Sequence, residues 1–115
     1  MIDKRNIQYI GKLNTEYIGE YANKIYTKDV ILTNERKLHI FQNHSNDFDL
    51  IINNISNAIL FPYMVMEDTK NEDTLFFVGK IGEENLNVII KLCTENDFKH
   101  PKNSIMSAWI IRETN

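Results

Sequence analysis

Thr74-Leu-Phe-Phe-Val-Gly-Lys-Ile81, Gly82-Glu-Glu-Asn85 and Leu86-Asn-Val-Ile-Ile-Lys-Leu-Cys-Thr94 are the stretch that decides the fold. Two apolar, β-branched and aromatic runs flank a short polar turn with a glycine, which reads as two strands and a hairpin. Runs joined this closely must pair antiparallel, because parallel pairing needs a long crossover. Similar runs lie on either side, Leu60–Glu67 before and Ser104–Arg112 after, set off by Lys70–Asp73 and Asn96–Asn103. The second half of the chain therefore predicts a four-stranded antiparallel sheet.

Before Asn57 the pattern is helical. Ile7–Leu13 reads as a short strand. Asn14 then caps a helix over about Thr15–Tyr26, with Tyr17, Ile18, Tyr21, Ala22 and Ile25 on helical spacing. Val30–Leu32 is a short extended segment. Thr33 caps a second helix, whose first turn carries Asn34 and Glu35 where exposed N–H groups favour them. Ser45-Asn-Asp breaks it, and a third helix follows over about Phe48–Ile55. The expected fold is α+β, with about three N-terminal helices packed on one face of the four-stranded antiparallel sheet. No repeat, linker or low-complexity segment divides the chain, so residues 1–115 form a single domain.

Composition sets the class. The apolar fraction of 43% and aromatic fraction of 10% suit a soluble globular domain. No apolar run approaches the ~18 residues of a membrane span, and the N-terminus lacks the apolar core of a signal peptide. Cys93 is the single cysteine and fits a reducing compartment. The expected location is the cytoplasm, with no membrane partner. The net charge of -3 argues against a generic nucleic-acid binder but leaves room for a local basic site. The acid pairs Glu67-Asp68, Glu72-Asp73 and Glu83-Glu84 read as solvated turns. There is no metal-ligand spacing and no glycine-rich phosphate loop, so neither metal nor cofactor is expected.

The chemistry gathers on the second helix. It carries Arg36, His39 and His44, two of the three histidines in the chain. Histidine transfers protons near neutral pH, and arginine supplies a fixed charge and a forked donor for phosphate. At about 100° per residue, Leu38 and Phe41 share one face, with Arg36 and His39 together on the other. His39 and His44 diverge by roughly 140° on one helix, so they converge only if the helix ends between them or the substrate bridges them, and His39 is the preferred of the two. Lys80 and Lys91 stand inside apolar strands, where a lysine either snorkels at an edge or lines a groove. Lys91 is taken for the groove. Ser104 and Ser107 differ in parity, so a regular pleat points them to opposite faces. His100, before Pro101, reads as structural or solvent-facing, and Trp109 as core.

Two motifs suggest a family. Val30-Ile-Leu-Thr-Asn-Glu-Arg-Lys-Leu-His-Ile-Phe-Gln-Asn-His44 resembles the "I-L-T-x-E-R-x-x-H-I-x-x-x-H" segment of the phage-associated branch of the barnase/EndoU/colicin/RelE-like (BECR) nucleases. Lys102-Asn-Ser-Ile-Met-Ser-Ala-Trp109 resembles the closing-strand "N-S-I-x-[ST]-A" element of that group, and Tyr9-Ile-Gly-Lys-Leu13 its usual start. The resemblance implies a barnase-like fold and a metal-independent endoribonuclease, deployed as a toxin or phage-linked effector. It implies RNA as substrate and a cognate antitoxin or other protein as partner. It also implies His39 with Arg36 as the stronger catalytic pair and Ser107 at the Ser/Thr position on a phosphate oxygen; with His44 and Lys91 from the residue reading these make the catalytic candidates, and Lys102, Asn103 and Ser104 are placed on the substrate. Cleavage of this kind uses the ribose 2′-hydroxyl as nucleophile and needs a base, an acid and donors on the phosphate. The alternative is a catalytically silent relative that binds or inhibits another protein, for which the acidic surface could mimic nucleic acid.

Overall fold

The structure is a computed structural model that describes residues 6–94 and 102–112. Six strands form one sheet: β1 (Ile7–Lys12), β2 (Asp29–Thr33), β3 (Met64–Glu67), β4 (Thr74–Ile81), β5 (Glu84–Lys91) and β6 (Asn103–Ile111). Their order is β1-β2-β6-β5-β4-β3. Neighbours run antiparallel except β2 and β6, which are parallel through Val30 opposite Asn103 and Ile31 opposite Ser104. Two α-helices, α1 (Asn34–Asn43) and α2 (Phe48–Leu60), lie between β2 and β3.

The expected three helices on a four-stranded antiparallel, barnase-like sheet are overturned on both counts. The segment read as the first helix forms two short 3-10 turns, Thr15–Tyr17 and Gly19–Asn23. Gly19 sits at φ +57, a left-handed conformation that ends the first turn and stops an α-helix from running through. The sheet gains β1 and β2 from the first half of the chain. β2 docks beside β6, so a strand from before the helices pairs with the last strand of the chain. Pairing across that sequence distance leaves no local signal, and the α1–α2–β3–β4–β5 stretch serves as the crossover that parallel strands require.

α2 covers one face. Ile51, Ile55, Ala58 and Ile59 are buried against Leu75, Phe77, Leu86, Val88 and Ile90. The helix comes so close to β4 that a Cβ added to Gly79 would stand 2.6 Å from the Ala58 Cβ. A side chain at position 79 cannot be admitted without shifting the helix.

α1 packs differently. The Thr33 hydroxyl accepts from the Arg36 N–H at 3.2 Å, which is the expected cap. The helix then carries on beside β6 where the short β2 stops. Its one fully buried residue is Ile40. Leu38 and Phe41, expected to face inward, are 51% and 48% exposed. A strand flank offers one narrow groove, so the inward stripe is Arg36, Ile40 and His44 at spacing of four, with its two end residues half-buried. Phe41 turns sideways to meet Phe48 edge-on, ring centroids 5.2 Å apart.

β6 carries a bulge. Ile89 pairs with Ser107 and Ile90 with Ile105, so Met106 is an extra residue. The bulge resets the alternation. Ile105 and Ala108, three apart, both enter the core, and Ser104, Ser107 and Trp109 all come to the opposite face. The opposed parity of Ser104 and Ser107 expected for a regular strand therefore does not apply.

Candidate functional site

The face opposite α2 carries no described helix across it. Its residues follow from the registers. Tyr9 and Lys12 come from β1, Asp29 and Ile31 from β2. Ser104, Ser107 and Trp109 come from β6, Asn85, Asn87, Ile89 and Lys91 from β5, and Phe76, Val78 and Lys80 from β4. Val78 is buried yet stands apart from the core cluster beneath α2, which confirms the division. Lys102 joins this face through its ion pair with Asp29 at 2.6 Å. Among the described residues the strands of the open face thus bring Lys12, Lys80, Lys91 and Lys102 together with Asp29, and Glu35, Glu72 and Asp73 stand at one end of it, in a chain of net charge -3. The charge bookkeeping of the whole chain hid this segregation.

At one end of the face, where β5 stops and β6 starts, lies a cleft of about 720 Å³. Arg36 enters it from the first turn of α1, because the cap at Thr33 sets that turn beside β6. Lys91 and Ser104 enter as directly opposed residues of β5 and β6. Glu35, Glu72 and Asp73 bring the acids. Lys91 Nζ donates to the Glu72 carbonyl at 2.7 Å, which holds the ammonium at the cleft wall. Lys102 also lines the cleft, but its charge is shared with Asp29. The ammonium donates a hydrogen bond that holds the Asp29 carboxyl below its usual range, and the same bond raises Lys102. Among the described residues the Arg36 guanidinium has no hydrogen-bond or ion-pair partner, so its forked donors are available.

The remaining expected residues scatter. Asn103 is fully buried. Its amide donates to the Thr27 and Asp29 carbonyls at 2.7 and 2.9 Å and accepts from the Cys93 N–H at 2.8 Å. It ties β2, β6 and the end of β5 together, with both amide donors used and the side chain closed to a substrate by burial. His39 is exposed on α1 and does not line the cleft. Asn43 Nδ2 donates to the His39 carbonyl at 2.8 Å and lies 3.4 Å from its Nδ1. His44 caps α1 and stacks on Trp109, with ring centroids 6.3 Å apart and planes 26° off parallel. Trp109 is half-buried on the open face and not in the core, contrary to expectation. Ser107 shares that face but does not line the cleft. His100 falls outside the described residues.

Arg36, Lys91, Lys102 and Ser104 therefore come together, while His39, His44 and Ser107 stay out of the cleft. The residues that sequence reasoning missed are Glu35, Glu72 and Asp73, read as a helix start and a solvated turn. One signal for the turn was available. Asp73, at φ 54, accepts from the Leu92 N–H at 2.7 Å through its carbonyl and from the Thr94 hydroxyl at 3.2 Å, and Asp is among the residues that tolerate such a backbone. Among the described residues no three His, Cys, Asp or Glu side chains are placed to share a metal ion, and no helix is long and apolar enough to cross a membrane. No protein-family model, curated protein or solved structure matches the chain.

Proposed function

We propose that this chain is an RNA endonuclease that draws a single strand across the open sheet face and cleaves it at the cleft without metal. The observation that carries the reading is the Arg36 guanidinium, without a partner among the described residues, beside Lys91 and Ser104 at the end of a lysine-rich face of an acidic protein. Phosphate attracts that arrangement of charge and donors, and a strand lying along it releases counterions. Arg36, Lys91 and the Ser104 hydroxyl hold the non-bridging phosphate oxygens. Glu35, in the cleft next to Arg36, takes the proton from the ribose 2′-hydroxyl. The 2′-oxygen bonds to phosphorus, the bond to the 5′-oxygen breaks, and that oxygen takes a proton. His39 lies one helical turn on from Arg36 and outside the cleft, so solvent water supplies that proton. The products are a 2′,3′-cyclic phosphate and a 5′-hydroxyl. The resemblance of Val30–His44 and Lys102–Trp109 to phage-associated nucleases supports the same reaction, a cytoplasmic toxin or effector role and a cognate antitoxin.

The test is incubation of the purified chain with mixed short RNAs in EDTA, followed by end-group analysis. Cyclic phosphate ends that disappear with Arg36→Ala are expected, together with growth arrest on induction in bacteria that the same substitution relieves. Cleavage that needs added magnesium overturns the mechanism. One observation favours a second reading: both described histidines lie outside the cleft. On that reading the chain grips RNA or a protein partner without cutting. Arg36-dependent RNA binding with no cleavage under any condition would establish it.

A further inference from the structure

β3 ends the sheet on one side, and no described strand pairs with its outer edge. The phase of the β3–β4 ladder shows which groups that leaves free. The Asp68 N–H donates to the Thr74 carbonyl at 2.9 Å, and in the same register Met66 pairs with Phe76 and Met64 with Val78. Alternation along an antiparallel pair then turns the N–H and C=O of Val65 and Glu67 outward. The opposite end of the sheet is blunted, since β1 breaks register at Ile10 and ends in Lys12. β3 keeps its register from Met64 to Glu67 and holds no lysine or proline. Phe61, Tyr63, Met64 and Met66 gather at this edge, each at least 40% exposed. Val65 and Glu67 also line a second cleft, of about 360 Å³, between β3 and the two 3-10 turns. Tyr17, Glu20, Tyr21 and Lys24 form much of its other wall. The Tyr21 hydroxyl donates to Glu67 Oε1 at 2.7 Å, and Lys24 Nζ sits 5.5 Å from the centre of the Tyr21 ring. Among the described residues no cation forms an ion pair with Glu20 or Glu67. The bond to Glu67, aided by the charges of Glu67, Asp73 and Glu72, pushes the Tyr21 hydroxyl up to about 12.

We propose that β3 accepts an extended segment of a partner protein as a further strand of the sheet, and that basic side chains of that segment enter the cleft beside Glu67. An added strand lies about 4.8 Å beyond β3. Its residues opposite Val65 and Glu67 exchange backbone hydrogen bonds with them, which is how an open sheet edge captures a peptide. Side chains at those positions fall on the cleft side. Those between them fall beside Met64 and Met66 on the other face. The segment recognised is therefore one in which apolar residues alternate with lysine or arginine. Glu67 and Glu20 attract the cation, and the Tyr17 and Tyr21 rings offer it a face, as Tyr21 does for Lys24. Glu67, Asp68, Glu72 and Asp73, at the end of β3 and in the turn after it, repel an acidic segment. A second copy of this chain is a poorer occupant, because β3 carries no cation of its own to meet Glu67. The inference uses neither the Arg36 cleft nor the open-face lysines, so it stands apart from the RNA reading.

The full chain is titrated, with fluorescence anisotropy as the readout, against three labelled peptides. The first alternates valine with lysine between threonine ends. The second has glutamate in place of lysine. The third keeps the lysines but carries a methyl group on each lysine backbone nitrogen, which removes the donors aimed at Val65 and Glu67 and leaves the charge. Saturable binding of the first is expected, with the second about tenfold weaker or more and the third unbound. Added salt should weaken the first. Glu67→Lys should invert the preference between the first two peptides. Glu67 is exposed, so the melting temperature should hold. The methylated peptide tests the same contact on the unaltered chain. Equal binding of the lysine and glutamate peptides, binding that survives methylation, or an unchanged preference in Glu67→Lys overturns the proposal. So does a dimer, seen by sedimentation, that Glu67→Lys abolishes while the lysine peptide never binds, which would assign the edge to a second copy.

Discussion

β5 shows the contrast between the two faces of this sheet within eight residues. Leu86, Val88 and Ile90 point under α2 and are fully buried. Asn85, Asn87, Ile89 and Lys91 alternate with them and point to the open face. The first set is explained by apolar burial, at about 1.5–3 kcal/mol for each large side chain taken out of water. The second set is not. Two unmet amide oxygens and a lysine in a central strand do nothing for stability, and the lysines gather on this face although the chain as a whole is acidic. One strand thus serves the core with one parity and presents polar and charged groups to the open face with the other. Substitutions on the two faces should separate stability from activity.

The largest effect is expected beneath α2. Phe77→Ala empties a fully buried site in the core and should cost about 3–5 kcal/mol. Urea unfolding should show a lower midpoint with an unchanged slope. Its neighbour Phe76, half-buried on the open face, is the matched control and should cost far less on truncation. Equal losses would erase the distinction between the faces. Next comes Arg36→Ala. Loss of a charged donor at a phosphate should lower turnover by about a hundredfold to a thousandfold, with stability unchanged within about 0.5 kcal/mol. A matching loss of stability would make Arg36 a packing residue of α1.

Gly79→Ala sharpens the covered side. The added Cβ meets the Ala58 Cβ at 2.6 Å, backbone close behind, and overpacking should cost about 1–3 kcal/mol. Turnover of the folded fraction should stay as it was. The smallest effect concerns Asp29 on the open face. Lys102 holds the Asp29 carboxyl below its usual range, so the folded state favours the ionised form. The pair's contribution is complete above the ordinary carboxylate titration near about pH 4 and fades as pH falls through the lowered folded value. Both side chains are partly exposed, and salt screens the pair. Lys102→Met should flatten the acid limb of a melting-temperature profile slightly, and a large flattening would mean the pair is worth more than its exposure allows.

What could be read locally was decided by local physics. The cap at Thr33 and the helix after it follow from a hydroxyl placed before free N–H groups. β4 begins and ends at the residues its apolar run marks out, and the turn at Gly82 closes the hairpin to β5 because its φ of +60 suits glycine. Arg36 stood out through its spacing with His39 and Lys91 as a cation inside an apolar strand, and the two cations share the cleft, without His39.

The rest was decided only when distant segments met. The parallel pairing of β2 with β6 joins residues about seventy positions apart, and no periodicity records such a partner. The groove beside β6 chose Ile40 over Leu38 and Phe41 as the buried face of α1, which left His39 outside the cleft. The bulge at Met106 moved Ser107 to the face of Ser104 and carried Trp109 out of the core. Asn103, an ordinary polar residue in the sequence, became a buried clamp because three backbone groups from two other segments converge on it. The sequence by itself determined the strands, the two helices after Thr33 and which side chains can carry charge, but not the 3-10 turns that replace a helix between Thr15 and Asn23. Tertiary structure decided which of them face each other, because alternation along a strand sets only relative sides, and the sheet partner, the bulge and the covering helix set which side is which.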